Sequence, residues 1–234
     1  MKTCKLLREQ VAAATGSKKA ELVLKNAQIV NVFTQSVETG DIAIEGGYIV
    51  GIGNYEGITE KDLGGAYVCP GFLDGHIHIE SSMTSPGEFE RAVVPHGTIA
   101  VITDPHEIAN VAGTAGIRFM MQSAQKLDLD VYFMLPSCVP ATDLDESGAE
   151  LLARDLEPFY ADEKVLGLAE MMNAFGVTHG DKGCFEKLVQ ARSLKKAIDG
   201  HAPALSGKDV KPQFVKDYDG GDICLNKEKD IWLL

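Results

Sequence analysis

Five short apolar runs dominate the middle of this sequence, each closed by a polar residue or a proline. They are Gly71-Phe-Leu-Asp-Gly-His-Ile-His, Thr98-Ile-Ala-Val-Ile-Thr, Val131-Tyr-Phe-Met-Leu-Pro, Val165-Leu-Gly-Leu-Ala-Glu and Ala197-Ile-Asp-Gly-His. Their ends, at His78, Asp104, Pro136, Glu170 and His201, lie 26, 32, 34 and 31 residues apart. Runs that are apolar on both faces suit the buried strands of a parallel sheet. The stretches between them read as helices. Ser85-Pro86-Gly87-Glu88 is an N-cap with Pro at the first helical position, and Gly97 after His96 is a C-cap. Ser147-Gly-Ala-Glu150 is expected to start another helix by the same capping logic. Alternating βα units predict a parallel α/β fold, doubly wound or barrel.

The chain before these units has a different period. A helix is expected over about Lys5 to Ala14, with Leu6, Leu7 and Val11 on one face and Gly16 as its stop. From Glu21 apolar and polar residues alternate, and Gly46-Gly47 between two such runs is a hairpin signal. The expected organisation is a helical segment at 1–20, a small antiparallel β domain at 21–68, βα units at 69–209 and a divergent tail at 210–234.

Composition narrows the function classes. With 22 basic and 34 acidic side chains the formal charge is −12, which disfavours nucleic acid and anionic membranes as partners. No run approaches the roughly 18 apolar residues of a spanning helix. Five cysteines, Cys4, Cys69, Cys138, Cys184 and Cys224, are odd in number and widely spaced, so they read as free thiols in a reducing cytoplasm. Neither G-x-G-x-x-G, nor a P-loop, nor G-x-S-x-G occurs, which removes the usual nucleotide and serine-hydrolase readings.

The residues that could carry chemistry gather at strand ends, where α/β sites are built. His76 and His78 are two apart on a strand and so point to one side, within reach of one metal ion. Glu170 and His201 close later strands. Three imidazoles and a carboxylate suit Zn²⁺, Mn²⁺ or Fe²⁺, and a carboxylate can bridge two such ions. Asp104, His106 and Glu107 follow another strand, where they could position substrate, support a ligand or add one; Asp104 could equally be a helix cap before Pro105. His96 reads as a helix C-terminal residue and His179 as a loop residue.

Pro70-Gly-Phe-Leu-Asp-Gly-His-Ile-His resembles the first barrel strand of the amidohydrolase superfamily, which a β unit precedes. His76-Ile-His-Ile-Glu-Ser-Ser-Met, Asp104-Pro-His-Glu-Ile-Ala-Asn, Phe133-Met-Leu-Pro-Ser-Cys-Val-Pro, Gly167-Leu-Ala-Glu-Met-Met-Asn and Asp199-Gly-His-Ala-Pro are similar to blocks of the bacterial adenine deaminases within it. The resemblance runs from about Glu21 to about Asp209. It implies a (β/α)₈ barrel of which this chain holds about five units, an incomplete TIM-type barrel. It also implies hydrolysis of adenine to hypoxanthine and ammonia, in purine salvage or catabolism. His76 and His78 would then bind one ion, Glu170 would bridge and His201 would bind a second, with Mn²⁺ the expected metal and Fe²⁺ or Zn²⁺ the alternatives. A carboxylate would shuttle the proton to the leaving amine.

After His201 only 33 residues follow, without a further histidine, so a sixth-strand ligand and an eighth-strand acid are not found. The expectation is an N-terminal part of such an enzyme, binding metal poorly and turning over adenine slowly or not at all when isolated. Two alternatives stay open: an amidohydrolase acting on another cyclic amide or amidine, and a non-catalytic remnant that associates with a partner. A homo-oligomeric state also stays open.

Overall fold

The computed structural model describes residues 4–142 and 144–201. The segment 210–234, with Cys224, lies outside the described residues. The chain divides into two compact units, Met1–Pro70 and Gly71–Leu234.

In the first unit, helix α1 spans Cys4–Ala14. Its packed face is not the expected one. Leu7 and Val11 are 46% and 61% exposed, whereas Gln10 and Ala13 are buried. The stripe Leu6, Gln10, Ala13 turns inward because the Gln10 side-chain amide donates to the Glu45 carbonyl at 3.2 Å, a partner that apolarity alone does not reveal.

The sheet of this unit contains β1 (Ala20–Asn31), β2 (Ser36–Glu45), β3 (Tyr48–Gly53), β4 (Gly57–Asp62) and β5 (Tyr67–Val68). The alternating runs Glu21–Lys25 and Ala27–Phe33 of the sequence belong, as far as Asn31, to one strand, β1, irregular between Leu24 and Ala27, where Asn26 adopts φ 56°. The Asp41 carboxylate secures that bulge. It accepts from Asn26 N at 3.1 Å, Tyr55 N at 3.3 Å and Lys25 Nζ at 2.5 Å. Gly46 and Gly47, both at positive φ, join β2 to β3 in the expected two-residue hairpin. The sheet is mixed rather than antiparallel, since β4 and β5 pair parallel to β1. Alternation predicts that a strand exists but carries no information about its direction.

The second unit is built on five parallel strands in sequential order: β6 (Phe72–Ile77), β7 (Thr98–Thr103), β8 (Asp130–Leu135), β9 (Val165–Met171) and β10 (Ala197–Gly200). Between them lie α2 (Pro86–Val93), α3 (His106–Ala124), α4 (Ala153–Leu156), α5 (Ala174–His179) and α6 (Lys182–Ser193). Val101, Phe133, Leu135, Leu168, Ile117, Met120 and Leu156 form the core between strands and helices. Each such side chain contributes roughly 1.5–3 kcal/mol through burial.

Ser85 occupies the N-cap position of α2 with Pro86 at the first position, and Gly97 at φ 94° ends the following turn, as expected, but the Ser85 side chain makes no capping hydrogen bond. Ser147 does not start a helix. Its hydroxyl is shared among the Ala149 carbonyl at 2.8 Å and the Asn110 carbonyl and Oδ1 at 3.0 and 2.9 Å, and α4 begins six residues later, with Asp155 Oδ2 accepting from Leu152 N. His179 ends α5 rather than lying in a loop, stacked on Phe175.

Candidate metal centre

Parallel strands deliver their C-terminal residues to one end of the sheet. There the backbone registers neighbouring strand ends directly: Asp104 N donates to Ile77 O at 3.0 Å, and His201 N to Met171 O at 3.4 Å. His76, His78, Asp104, Glu170, Asp199 and His201 thereby converge, although they are spread over more than half the chain.

Glu170 is the hub. It is 6% exposed, and its two oxygens face opposite partners. Oε1 lies 3.4 Å from His78 Nε2 and 3.8 Å from both His76 Nε2 and His106 Nδ1. Oε2 lies 3.1 Å from His201 Nδ1, out of hydrogen-bond alignment. One ligand atom from each of His78, Asp104, His106 and Glu170 falls within 4.8 Å of the others. His76 and His201 flank this group through Glu170.

The imidazoles are oriented by their outer nitrogens. His78 Nδ1 lies 2.9 Å from the Asp104 carbonyl, and His76 Nδ1 lies 3.3 Å from Asp199 Oδ2. An acceptor at each Nδ1 fixes the proton there and leaves a lone pair on Nε2. Yet the two Nε2 atoms face each other at 3.1 Å. Opposed lone pairs at that separation fit a shared cation, as does the buried Asp104 Oδ1, which has no hydrogen-bond partner among the described residues. Neutral nitrogens and carboxylate oxygens together form the donor set of a divalent metal.

Electrostatics point the same way. The hydrogen bond that His76 donates to the Asp199 carboxylate holds the imidazole above the usual histidine range, against the opposing effect of burial. Burial likewise opposes charge on His106, but its contact with Asp104 Oδ2 at 2.9 Å and the neighbouring Glu170 and Glu107 push it up to about 9. So much negative potential in a buried site is relieved by a bound cation.

The Asp104 side chain turns to His106 instead of capping α3. Glu107 Oε1 accepts from Ser81 Oγ at 2.5 Å, and its charge adds to the field that raises His106. Asp199 is the residue of this cluster that sequence reading passed over. It is 5% exposed and two residues before His201, the same spacing that singled out His76 and His78. The four described cysteines, Cys4, Cys69, Cys138 and Cys184, are free thiols. Among the described residues no helix is long and apolar enough to cross a membrane.

Comparison with known proteins agrees with this architecture. The amidohydrolase family profile matches residues 67–230, continuing past Asp209 where the motif-level resemblance stops. Adenine deaminase 2 of Carboxydothermus hydrogenoformans is 50% identical over 225 residues, covering 96% of this chain and 39% of that protein. Adenine deaminase of Bacillus pumilus is 52% identical over 203 residues, covering 87% of this chain and 35% of that protein. The chain thus spans little more than a third of the length of these relatives. A crystal structure of a dihydroorotase superposes with a TM-score of 0.51 at 18% identity, covering 83% of this chain and 55% of that one. The N-isopropylammelide isopropylaminohydrolase of Burkholderia multivorans gives 0.51 at 18% identity, covering 80% and 54%. At such identity the likeness concerns the fold alone: the five parallel strands are part of a TIM-type barrel.

Proposed function

This chain belongs to the amidohydrolase family, and on that premise we propose that it is part of an adenine deaminase, converting adenine and water to hypoxanthine and ammonia in purine salvage or catabolism. The observation that carries the reading is the two-sided placement of Glu170 between His76, His78 and His106 on one oxygen and His201 on the other. A carboxylate so placed could hold two ions, and we assign His76 and His78 as the residues that would hold one, His201 the second, and Glu170 both. Manganese suits the mixed nitrogen and carboxylate donors. Free cysteines among the described residues and a formal net charge of −12 suit a cytoplasmic enzyme.

When bound, a divalent ion supplies a Lewis acid and brings the pKa of coordinated water toward neutrality. The chain's own residues supply orientation and proton handling. Asp199 and the Asp104 carbonyl fix the tautomers of His76 and His78, so that Nε2 of each faces inward. Asp104 holds a proton on His106 Nδ1 beside Glu170, and in this reading His106 would serve as the acid for the amine leaving the purine C6.

The test is release of ammonia and hypoxanthine from adenine, with guanine, cytosine and dihydroorotate as competitors. It is run on the Mn²⁺-loaded chain, and on a chimera in which residues 71–201 replace the matching segment of the Carboxydothermus relative. Adenine turnover by the chimera, abolished by His78→Ala, is the expected result. A folded, metal-loaded chimera that prefers another of these substrates, or turns over none, would overturn the assignment.

A further inference from the structure

Beyond the metal-facing residues, a buried lysine and a serine form a relay behind Glu170. The ladder between β8 and β9 ends at the pair Leu135 and Leu168, two residues short of Glu170. The Glu170 carbonyl therefore needs another donor. It receives the Ser137 hydroxyl at 2.5 Å, and the Ser137 carbonyl in turn accepts from Lys187 Nζ at 2.7 Å. Ser137 is 2% exposed and Lys187 7% exposed, so neither group exchanges its partner for bulk water at little cost. Cys138 adds an Sγ contact to Met171 Sδ at 3.5 Å, tying the same two strand ends together.

Lys187 is an odd choice for a helix residue facing a barrel wall. It sits on α6 beside the buried Cys184 and Leu188, and burial lowers its pKa. Burying an ammonium costs several kcal/mol unless it is hydrogen-bonded, so a packed apolar side chain would serve stability at least as well. What an apolar side chain would not do is hold the Ser137 carbonyl. Loss of that hold frees the segment that fixes Glu170 along the direction of β9.

We infer that Lys187 and Ser137 are positioning residues that fix the backbone of Glu170, and with it the carboxylate between the two metal positions. This rests on Glu170 being a metal ligand, as argued above. Residues that support ligands from outside typically contribute about 10–100-fold to metal affinity.

The experiment is Mn²⁺ binding by the full chain and by the chimera described above, followed by titration calorimetry and by the Mn²⁺ electron paramagnetic resonance spectrum. Lys187→Met and Ser137→Val are expected to weaken Mn²⁺ at least about tenfold. Ser137→Thr, of the same shape as Val but keeping the hydroxyl, is expected to bind nearly as tightly as the parent. The Lys187→Met/Ser137→Val double variant should lose no more than Ser137→Val alone, because the lysine acts through the serine. Should Lys187→Met fail to fold, the Thr and Val pair still decides. Glu170→Gln separates the two readings. If it abolishes tight Mn²⁺ binding while Ser137→Val and Ser137→Thr both bind like the parent, the relay is wrong and the ligand assignment stands. If Glu170→Gln binds like the parent, the ligand assignment falls and the relay falls with it.

Discussion

Asp199 shows how one carboxylate outside the expected ligand set can govern the site. It faces His76 Nδ1 at 3.3 Å and thereby decides which ring nitrogen of His76 points at Glu170. Asp199→Asn removes the charge but keeps the shape. It is expected to weaken Mn²⁺ about 10–100-fold, the usual range for a residue that orients a metal-binding histidine, measured by calorimetry against the parent chain. An unchanged affinity would mean that the tautomer of His76 is set elsewhere. A second residue-scale prediction concerns Asp41. Burial works to raise its pKa, yet the Lys25 ammonium and the amides of Asn26 and Tyr55 hold the carboxyl below the usual range. A depressed folded pKa contributes stability that is present above the unfolded carboxylate value of about 3.9 and is lost as pH falls through the folded value. Asp41→Asn should therefore destabilise the chain at neutral pH, by about 1–3 kcal/mol for the hydrogen bonds weakened at the bulge, and flatten the acid limb of the melting profile. Thermal melts of both proteins from pH 7 to pH 3 check this; parallel profiles would count against it.

At the scale of elements, β7, β8 and β9 were legible because a strand buried on both faces must be apolar throughout and short; β6 shares the pattern but not the burial, with Phe72 and Leu73 61% and 57% exposed at the end of the strand order. Thr98–Thr103 is β7 to the residue, and the other four runs match within one or two positions. The start of α2 and the end of the turn after it were legible for a similar reason, since Ser-Pro and Gly signals act within one turn. What failed was longer in range. Ser147 carries a capping signature, but its hydroxyl is shared between Asn110, 37 residues away, and the Ala149 carbonyl. The inward face of α1 follows from Gln10 meeting Glu45, not from its leucines. Helix α3 contains a further surprise: Gly113, at φ 57° and ψ −141°, breaks the helix into two parts. That conformation is essentially confined to glycine, and a Cβ there would sit 3.1 Å from Ala149 Cβ. Gly113→Ala is expected to lower stability by about 1–3 kcal/mol in denaturant titrations. A neutral outcome would show that α3 can straighten without cost.

For the whole molecule, the two compact units make a prediction of their own. A metal bound at the end of the parallel sheet stabilises the residues that hold it, by about 2.7 kcal/mol at a hundredfold excess over Kd. Hydrogen exchange with and without Mn²⁺ should show new protection in β6 to β10 and none in β1 to β5. Uniform protection across both units would place the binding energy elsewhere. The distribution of information follows the same division between near and far. Residue order alone was enough to announce a parallel α/β unit and its strand ends, and to single out His76, His78, Glu170 and His201, which the fold brings together. Strand burial and the two-residue repeat of side-chain direction are local properties, readable in a short window. It took the folded chain to join β4 and β5 parallel to β1, to set Asp199 against His76 across 123 residues, and to seat Lys187 beneath Ser137. Those are pairings between distant positions. Their free energy depends on which groups lose water together, and no local periodicity records that.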